Sequence, residues 1–310
     1  MGIISSNIRV EKIDSYTGHR DAVYGLSRLD VTTDFLSCSG DGYVVRWNTL
    51  APDLGTPVAK VTNSVYTVCF DPKTNFLWIA HNFDGVHVVN LVNKQELNRT
   101  AFGNVALFDM KYFGEYILVG DSIGRLTWLD RFSGTQRKQK KISTKSIRSL
   151  AVQEKEGRVI LGCSDGLIYV LDIHTGEVIY TLEGHSNSVF TLQYMENGNR
   201  LVSGGRDAHL VFWELGEEIG QQIEHIPAHL FTINSMDLSN DGRWLATGSL
   251  DKSVKIWDMT TYQLVKVIDK GRHAGHGTSV NKVMWQNEST LLTASDDRTI
   301  SHWKIDFSQI

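Results

Sequence analysis

Ser249-Leu250-Asp251-Lys252-Ser253-Val254-Lys255-Ile256-Trp257-Asp258 is a turn followed by an apolar strand that ends on a Trp-Asp pair, and the chain repeats that arrangement from end to end. Equivalent strand ends fall at Trp47-Asn48, Val89-Asn90, Leu129-Asp130, Leu171-Asp172, Trp213-Glu214 and Trp303-Lys304. Counted from the first residue of each pair, with Trp257 in its place, successive spacings are 42, 40, 42, 42, 44 and 46. Between these ends, short apolar runs such as Tyr43-Val44-Val45-Arg46-Trp47 and Leu201-Val202-Ser203 alternate with turns rich in Asp, Gly and Asn. That alternation predicts short half-buried strands, and no helical periodicity competes with it.

A period of about forty to forty-five residues is that of a four-stranded propeller blade, so the 310 residues are expected to form one closed array and not the two domains that length alone would suggest. The quoted stretch resembles the segment that closes a repeat of the WD-repeat family. Four repeats also carry that family's preceding histidine in register, as Gly18-His19, Gly184-His185, Ala228-His229 and Gly275-His276, each followed four residues later by Val23, Val189, Ile233 or Val280. From these histidines to Asp41, Asp207, Asp251 and Asp297 the distances along the chain are 22, 22, 22 and 21 residues. The resemblance covers essentially the whole chain and implies an all-β, seven-bladed WD-repeat β-propeller, a single domain over residues 1–310. The second, third and fourth repeats lack the Gly-His pair and the terminal Trp, and the third has Ile123 where the turn aspartate is expected. Those three blades are expected to hold by apolar packing alone.

In the resembled family the N-terminal strand completes the last blade. This chain stops just after the strand bearing Trp303, and Asn7 to Ile13, with apolar Ile8, Val10 and Ile13, has no earlier blade to join. Residues 7–14 are therefore expected to be the outermost strand of the last blade, which removes exposed edges and ties the two ends together.

With 41% apolar and 21% charged residues the chain can bury a large core, and large-scale disorder is not expected. A formal charge of −4 gives no global reason to expect nucleic acid or an anionic membrane as a partner. Cys38, Cys69 and Cys163 are odd in number and sit in or beside apolar runs, which reads as reduced core thiols in a cytoplasmic protein. No run approaches 18 uninterrupted apolar residues, and no secretion signal opens the chain. Met1-Gly2-Ile3-Ile4-Ser5-Ser6 fits the short N-myristoylation pattern, but that pattern constrains only two positions.

Ser37 lies four residues before Asp41, and the offset recurs as Ser203 to Asp207, Thr247 to Asp251 and Thr293 to Asp297. Alone, His19, Ser37 and Asp41 would imitate a hydrolase triad. Four copies at one register argue for a folding device, because an enzyme needs one preorganised site. The family resemblance implies buried chains from Asp through His and hydroxyl to the Trp N–H: His19, Ser37, Asp41 and Trp47; His185, Ser203, Asp207 and Trp213; His229, Thr247, Asp251 and Trp257; His276, Thr293, Asp297 and Trp303. No catalytic residue, cofactor or metal is expected. His273 and His276 stand three apart, but His276 belongs to a tetrad and no Cys or acidic partner is near.

In this architecture the strand nearest the axis starts at one rim. Aligning the repeats there gives Tyr24, Tyr66, Phe108, Arg148, Phe190, Asn234 and Asn281, one per blade. The residue before each turn aspartate should look toward the same face, and Phe83, Arg206 and Leu250 are the informative ones among Gly40, Phe83, Ser164, Arg206, Leu250 and Asp296. Large rings beside polar groups are what interface centres favour. The expected function is a protein-interaction scaffold that grips a peptide or protein on this face, as a monomeric propeller or one subunit of a larger complex. An enzyme or small-molecule receptor at the channel mouth is the competing class. A third reading is phosphate recognition through the run Arg131, Arg137, Lys138, Lys140, Lys141, Lys145 and Arg148; the bland alternative makes Arg137 to Lys141 an outer strand whose lysines discourage edge pairing.

Overall fold

The computed structural model describes residues 8–29, 33–195 and 199–308; the Gly2 motif and Asn7 lie outside them. The described residues form seven four-stranded antiparallel sheets. Blade 1 shows the plan: Val23–Arg28 innermost, then Asp34–Ser39, Tyr43–Asn48 and Ala51–Lys60 outermost. Blades 2 to 6 follow at 65–101, 107–141, 147–183, 189–227 and 233–268. Blade 7 takes three strands from 280–306 and its outermost from Arg9–Tyr16. Innermost strands of neighbouring blades touch all the way round, blade 7 against blade 1, so the sheets close a ring.

The closing strand pairs from Arg9 with Asp306 to Tyr16 with Ile300. It runs two residues beyond the expected end, and Ile13, expected as an apolar strand position, falls in a bulge and is half-exposed. Ile8 and Tyr16 are the residues it buries, Ile8 in the core of blades 6 and 7 and Tyr16 against Phe35 and Trp47 of blade 1.

The middle strands explain why the core forms where it does. Phe76–His81, Arg158–Cys163 and Trp244–Ser249 are buried along almost their whole length, being covered by a blade on either side, while outer strands such as Gln136–Lys141 alternate or are exposed. That last strand is the outer edge of blade 3, as the bland reading of its lysines expected. The closing pairs also acquire a local role: the second residue accepts a hydrogen bond from the N–H two residues on, as in Asn48 with Leu50 (2.8 Å), Asn90 with Val92 (2.8 Å) and Asp258 with Thr260 (2.8 Å), which shapes the turn to the outer strand.

One short helix departs from the all-strand expectation. Lys270–His273 is a single turn whose first N–H groups are capped by Asp269, which accepts from the Arg272 N–H at 2.9 Å, and Ala274 ends it in the left-handed conformation. It occupies the connection into blade 7, which is why that repeat has the longest spacing.

Candidate functional site

The start of each innermost strand, the turn between the second and third strands and the end of the outermost strand lie at one end of every blade, because neighbouring strands are antiparallel. This end is called the turn face below. In blade 1 the chain Asp41–His19–Ser37–Trp47 is laid across it: His19 Nδ1 meets Asp41 at 3.0 Å, His19 Nε2 meets Ser37 Oγ at 2.7 Å, and Trp47 Nε1 donates to the same Oγ at 2.8 Å. The same atoms meet at 2.9, 2.7 and 2.8 Å in blade 5, at 2.8, 2.8 and 3.0 Å in blade 6, and at 2.8, 2.8 and 2.9 Å in blade 7. One proton arrangement satisfies all four: the indole donates to the hydroxyl, the hydroxyl to Nε2 and Nδ1–H to the carboxylate. The hydroxyl is thereby spent on structure.

Asp41, Asp207, Asp251 and Asp297 all lie below the usual carboxylate range: burial alone would raise them, but the hydrogen bonds from histidine and backbone N–H groups outweigh it. Burial also lowers His229, against the pull of Asp251. A pKa lowered on folding gives stability above the unfolded value that is lost on acidification, so melting temperature should begin to fall below about pH 6.5 and fall more steeply below about pH 4. Asp251→Asn should flatten the lower part of a melting curve series taken from pH 8 to 3; an unchanged slope would remove the tetrad from the explanation.

Blades 2 to 4, expected to rely on apolar packing alone, have polar ties of their own. In blade 4, Asp165 accepts from Ser143 Oγ at 2.6 Å and Tyr169 Oη at 3.0 Å. In blade 3 the buried Asp121 accepts from the Ile123 and Arg125 N–H groups at 3.0 and 2.9 Å and from Arg125 Nε at 2.6 Å. In blade 2, His81 Nε2 meets the Asn63 N–H at 2.9 Å while its Nδ1 meets Asp84 at 2.9 Å, linking loop to turn. Arg125 Nη2 in turn reaches the Phe102 carbonyl of the preceding loop at 3.4 Å, so each of these blades ties that loop to the turn with different atoms.

The seven aligned channel residues share a structural cause. In every innermost strand the pairing skips one residue, and the skipped residue is Tyr24, Tyr66, Phe108, Arg148, Phe190, Asn234 or Asn281. A bulge re-aims its extra side chain, and here all seven line the central cavity of about 1570 Å³. Five of them form a continuous run: Tyr24 meets Tyr66 edge-on at 4.8 Å, Tyr66 stacks on Phe108 at 5.8 Å, and the Arg148 guanidinium lies over Phe108 at 3.9 Å and Phe190 at 4.4 Å. The other two join blades: Asn234 donates to Ser279 Oγ and the Val280 carbonyl, both at 2.9 Å, and Asn281 to Asp296 at 2.7 Å and the Val23 carbonyl at 3.2 Å.

Around the mouth, Phe83 is 57% exposed and Leu250 47%, and Arg206 is exposed with no ionic partner among the described residues. The sequence reading missed Leu230 and Phe231, 83% and 58% exposed beside Leu250 on the same face. Two apolar residues directly after the tetrad histidine His229, where the other loops are polar, were the available signal.

Deeper in the channel stand Arg28, Asp109, Lys111, Asp237 and Lys282. Asp109 already accepts from the Met110 N–H at 2.9 Å and the Leu150 N–H at 2.8 Å; Asp237 accepts from the Trp285 N–H at 2.7 Å and Arg28 at 2.6 Å. Both carboxylates are committed to joining blades. Part of the basic run is similarly spent: Arg131 pairs with Asp71, Arg137 with Asp130, Lys140 with Glu177 at 2.6 Å, and Lys138 reaches backbone carbonyls. Cys38, Cys69 and Cys163 are buried free thiols, the first two pushed up to about 12 by burial. Among the described residues no helix is long and apolar enough to cross a membrane.

Comparison with known proteins agrees with this architecture. The model of the WD domain, G-beta repeat matches residues 10–48, 176–214, 220–258 and 268–304, the blades that carry tetrads. Actin-interacting protein 1 of Caenorhabditis elegans is 25% identical over 314 aligned positions, covering 94% of this chain and 48% of that protein. A ribosome biogenesis protein WDR12 homolog of Drosophila yakuba is 28% identical over 52% of this chain and 42% of its own length. Autophagy-related protein 16 of Arabidopsis thaliana is 30% identical over 54% of this chain and 32% of its own. The chain thus spans about half or less of the length of these relatives. The crystal structure of the WD40 propeller domain of Doa1 superposes with a TM-score of 0.83 at 18% identity, covering 97% of this chain and 98% of that one. With seven blades, four tetrads and a family model matching the first blade and the last three, the chain belongs to the WD-repeat family of β-propellers.

Proposed function

We propose that this chain is a non-catalytic scaffold that binds a peptide or protein loop on the turn face, over the mouth of the channel. The run Tyr24, Tyr66, Phe108, Arg148 and Phe190 carries the reading: bulges in five consecutive blades bring four rings and a guanidinium to one opening. Rings bury much area for little lost rotamer freedom, and an arginine held between two rings is preorganised. Phe83, Arg206, Leu250, Leu230 and Phe231 extend the surface outward. Arg148 and Arg206 favour an acidic side chain in the bound segment, with an apolar anchor against Tyr66 and Phe108. The relatives support an interaction role by their names, one of which is an actin-interacting protein. Against an enzyme stands the use made of the candidate groups, since the tetrad hydroxyls and the channel carboxylates of Asp109 and Asp237 are engaged in the fold. Buried free thiols fit a reducing, intracellular setting.

A displayed peptide library selected on the full chain tests this. Enriched peptides should carry an acidic residue near an aromatic or aliphatic one. Their affinity should fall at least about tenfold for Phe108→Ala and for Arg148→Ala, once each variant is shown to melt near the wild type. Selected peptides that bind both variants as well as the wild type would rule out this face.

A further inference from the structure

Blade 2 carries a cluster that neither the tetrad pattern nor the docking face uses. His81 ends the second strand, Asp84 lies in the following turn and His87 is the third residue of the next strand, so the hairpin folds a His-x-x-Asp-x-x-His segment onto itself. His81 Nδ1, Asp84 Oδ2 and His87 Nε2 converge: nitrogen to oxygen is 2.9 and 3.0 Å, and nitrogen to nitrogen 3.3 Å. Ligands on a divalent ion with bonds of about 2.0–2.1 Å stand about 2.9 Å apart at right angles and about 3.3 Å apart at a tetrahedral angle. The triangle already has the dimensions of one face of such a polyhedron.

The surroundings fit as well. His87 Nδ1 meets Glu96 at 2.7 Å, which would hold hydrogen on Nδ1 and turn the Nε2 lone pair toward the cluster. Arg99 takes the other oxygen of Asp84, leaving Oδ2 for the ion. Without an ion His81 Nε2 accepts from the Asn63 N–H at 2.9 Å; binding through Nδ1 moves the proton to Nε2, so Asn63 must give up that bond and Thr62 Oγ1, 3.2 Å away, accepts in its place. His81 is buried and Asp84 and His87 partly so, which leaves one side open for a fourth ligand.

We propose that His81, Asp84 and His87 bind a divalent transition cation of the zinc type, with Glu96 orienting His87. Imidazole and carboxylate ligands suit such ions, and Asp84 lies in the turn next to Phe83 on the turn face.

The test uses the tag-free full chain, stripped with a chelator and titrated with zinc chloride by calorimetry. One chelator-reversible zinc per chain is expected, with a rise in melting temperature. Glu96→Ala should weaken uptake about ten- to hundredfold, and His87→Ala should abolish it. Both should melt like the wild type in chelator, because each leaves the His81 tie to Asn63 in place. Cobalt substitution gives a second readout, a visible absorption band lost in His87→Ala. No saturable one-to-one uptake by the wild type, or uptake that either variant leaves unchanged, overturns the assignment.

Discussion

A chain lacking residues 1–16 is expected either to fail to accumulate folded or to melt at least about 10 °C lower than the full chain. The strand Arg9–Tyr16 covers the outer edge of blade 7 along its whole length, and its loss leaves a row of unpaired backbone groups on Ile300–Asp306. It also removes Ile8 and Tyr16, 2% and 1% exposed, each worth about 1.5–3 kcal/mol of burial. Tyr16 matters beyond its own strand, since its ring packs on Phe35 at 5.0 Å and Trp47 at 5.5 Å in blade 1, across the closure of the ring. Tyr16→Ala alone should cost about 3–5 kcal/mol, as other buried aromatic truncations do. Thermal melting and hydrogen exchange of blade 7 measure both. Unchanged melting of the truncated chain would mean that the ring closes without this strand.

The same contrast between repeated and local features decides how much was legible in the sequence. The ring was legible because Trp47, Trp213, Trp257 and Trp303 recur 28, 28, 28 and 27 residues after their histidines, and a periodic signal survives error at any one position. The alignment of the seven channel positions worked for a related reason: each blade places a bulge at the same point of its first strand, so a single offset finds them all. Blades 2 to 4 were opaque in their polar ties because His81 and Asp121 both end a second strand, two residues before the turn position that Asp165 keeps, and a pattern search looks for one residue type at one position. The cluster around His87 was missed although His-x-x-Asp-x-x-His can be read in the sequence; its meaning depends on the hairpin that brings residues six apart into contact. Ile13 was misassigned because a bulge shifts the alternation by one residue, which sequence alternation cannot show.

Arg131 is the clearest case of a residue whose sequence context misleads. It heads a basic run, yet its guanidinium is 4% exposed and meets the fully buried Asp71 of the neighbouring blade through two nitrogens, with Nη1 donating to the Gly114 carbonyl at 2.8 Å and the ring of Tyr112 at 5.0 Å. Asp71 also accepts from Thr74 Oγ1 at 2.7 Å and the Lys73 N–H at 3.0 Å. Burial works to raise its carboxyl, but Arg131 and these donors hold it below the usual range. A buried pair contributes little over an apolar replacement, while half of one leaves an uncompensated charge that costs about 3–5 kcal/mol. Asp71→Asn is therefore expected to lower the melting temperature by roughly 10 °C. Asp71→Leu combined with Arg131→Met should recover much of that loss, whereas Arg137→Ala, at the exposed pair with Asp130, should change nothing measurable. In the wild type the contribution of Asp71 is complete above about pH 4 and disappears as pH falls below it, so the penalty of Asp71→Asn should shrink in acid. Equal melting of Asp71→Asn and wild type at pH 7 would show that blades 2 and 3 are held without this pair, and the packing between them, and not the charge, would then carry the junction.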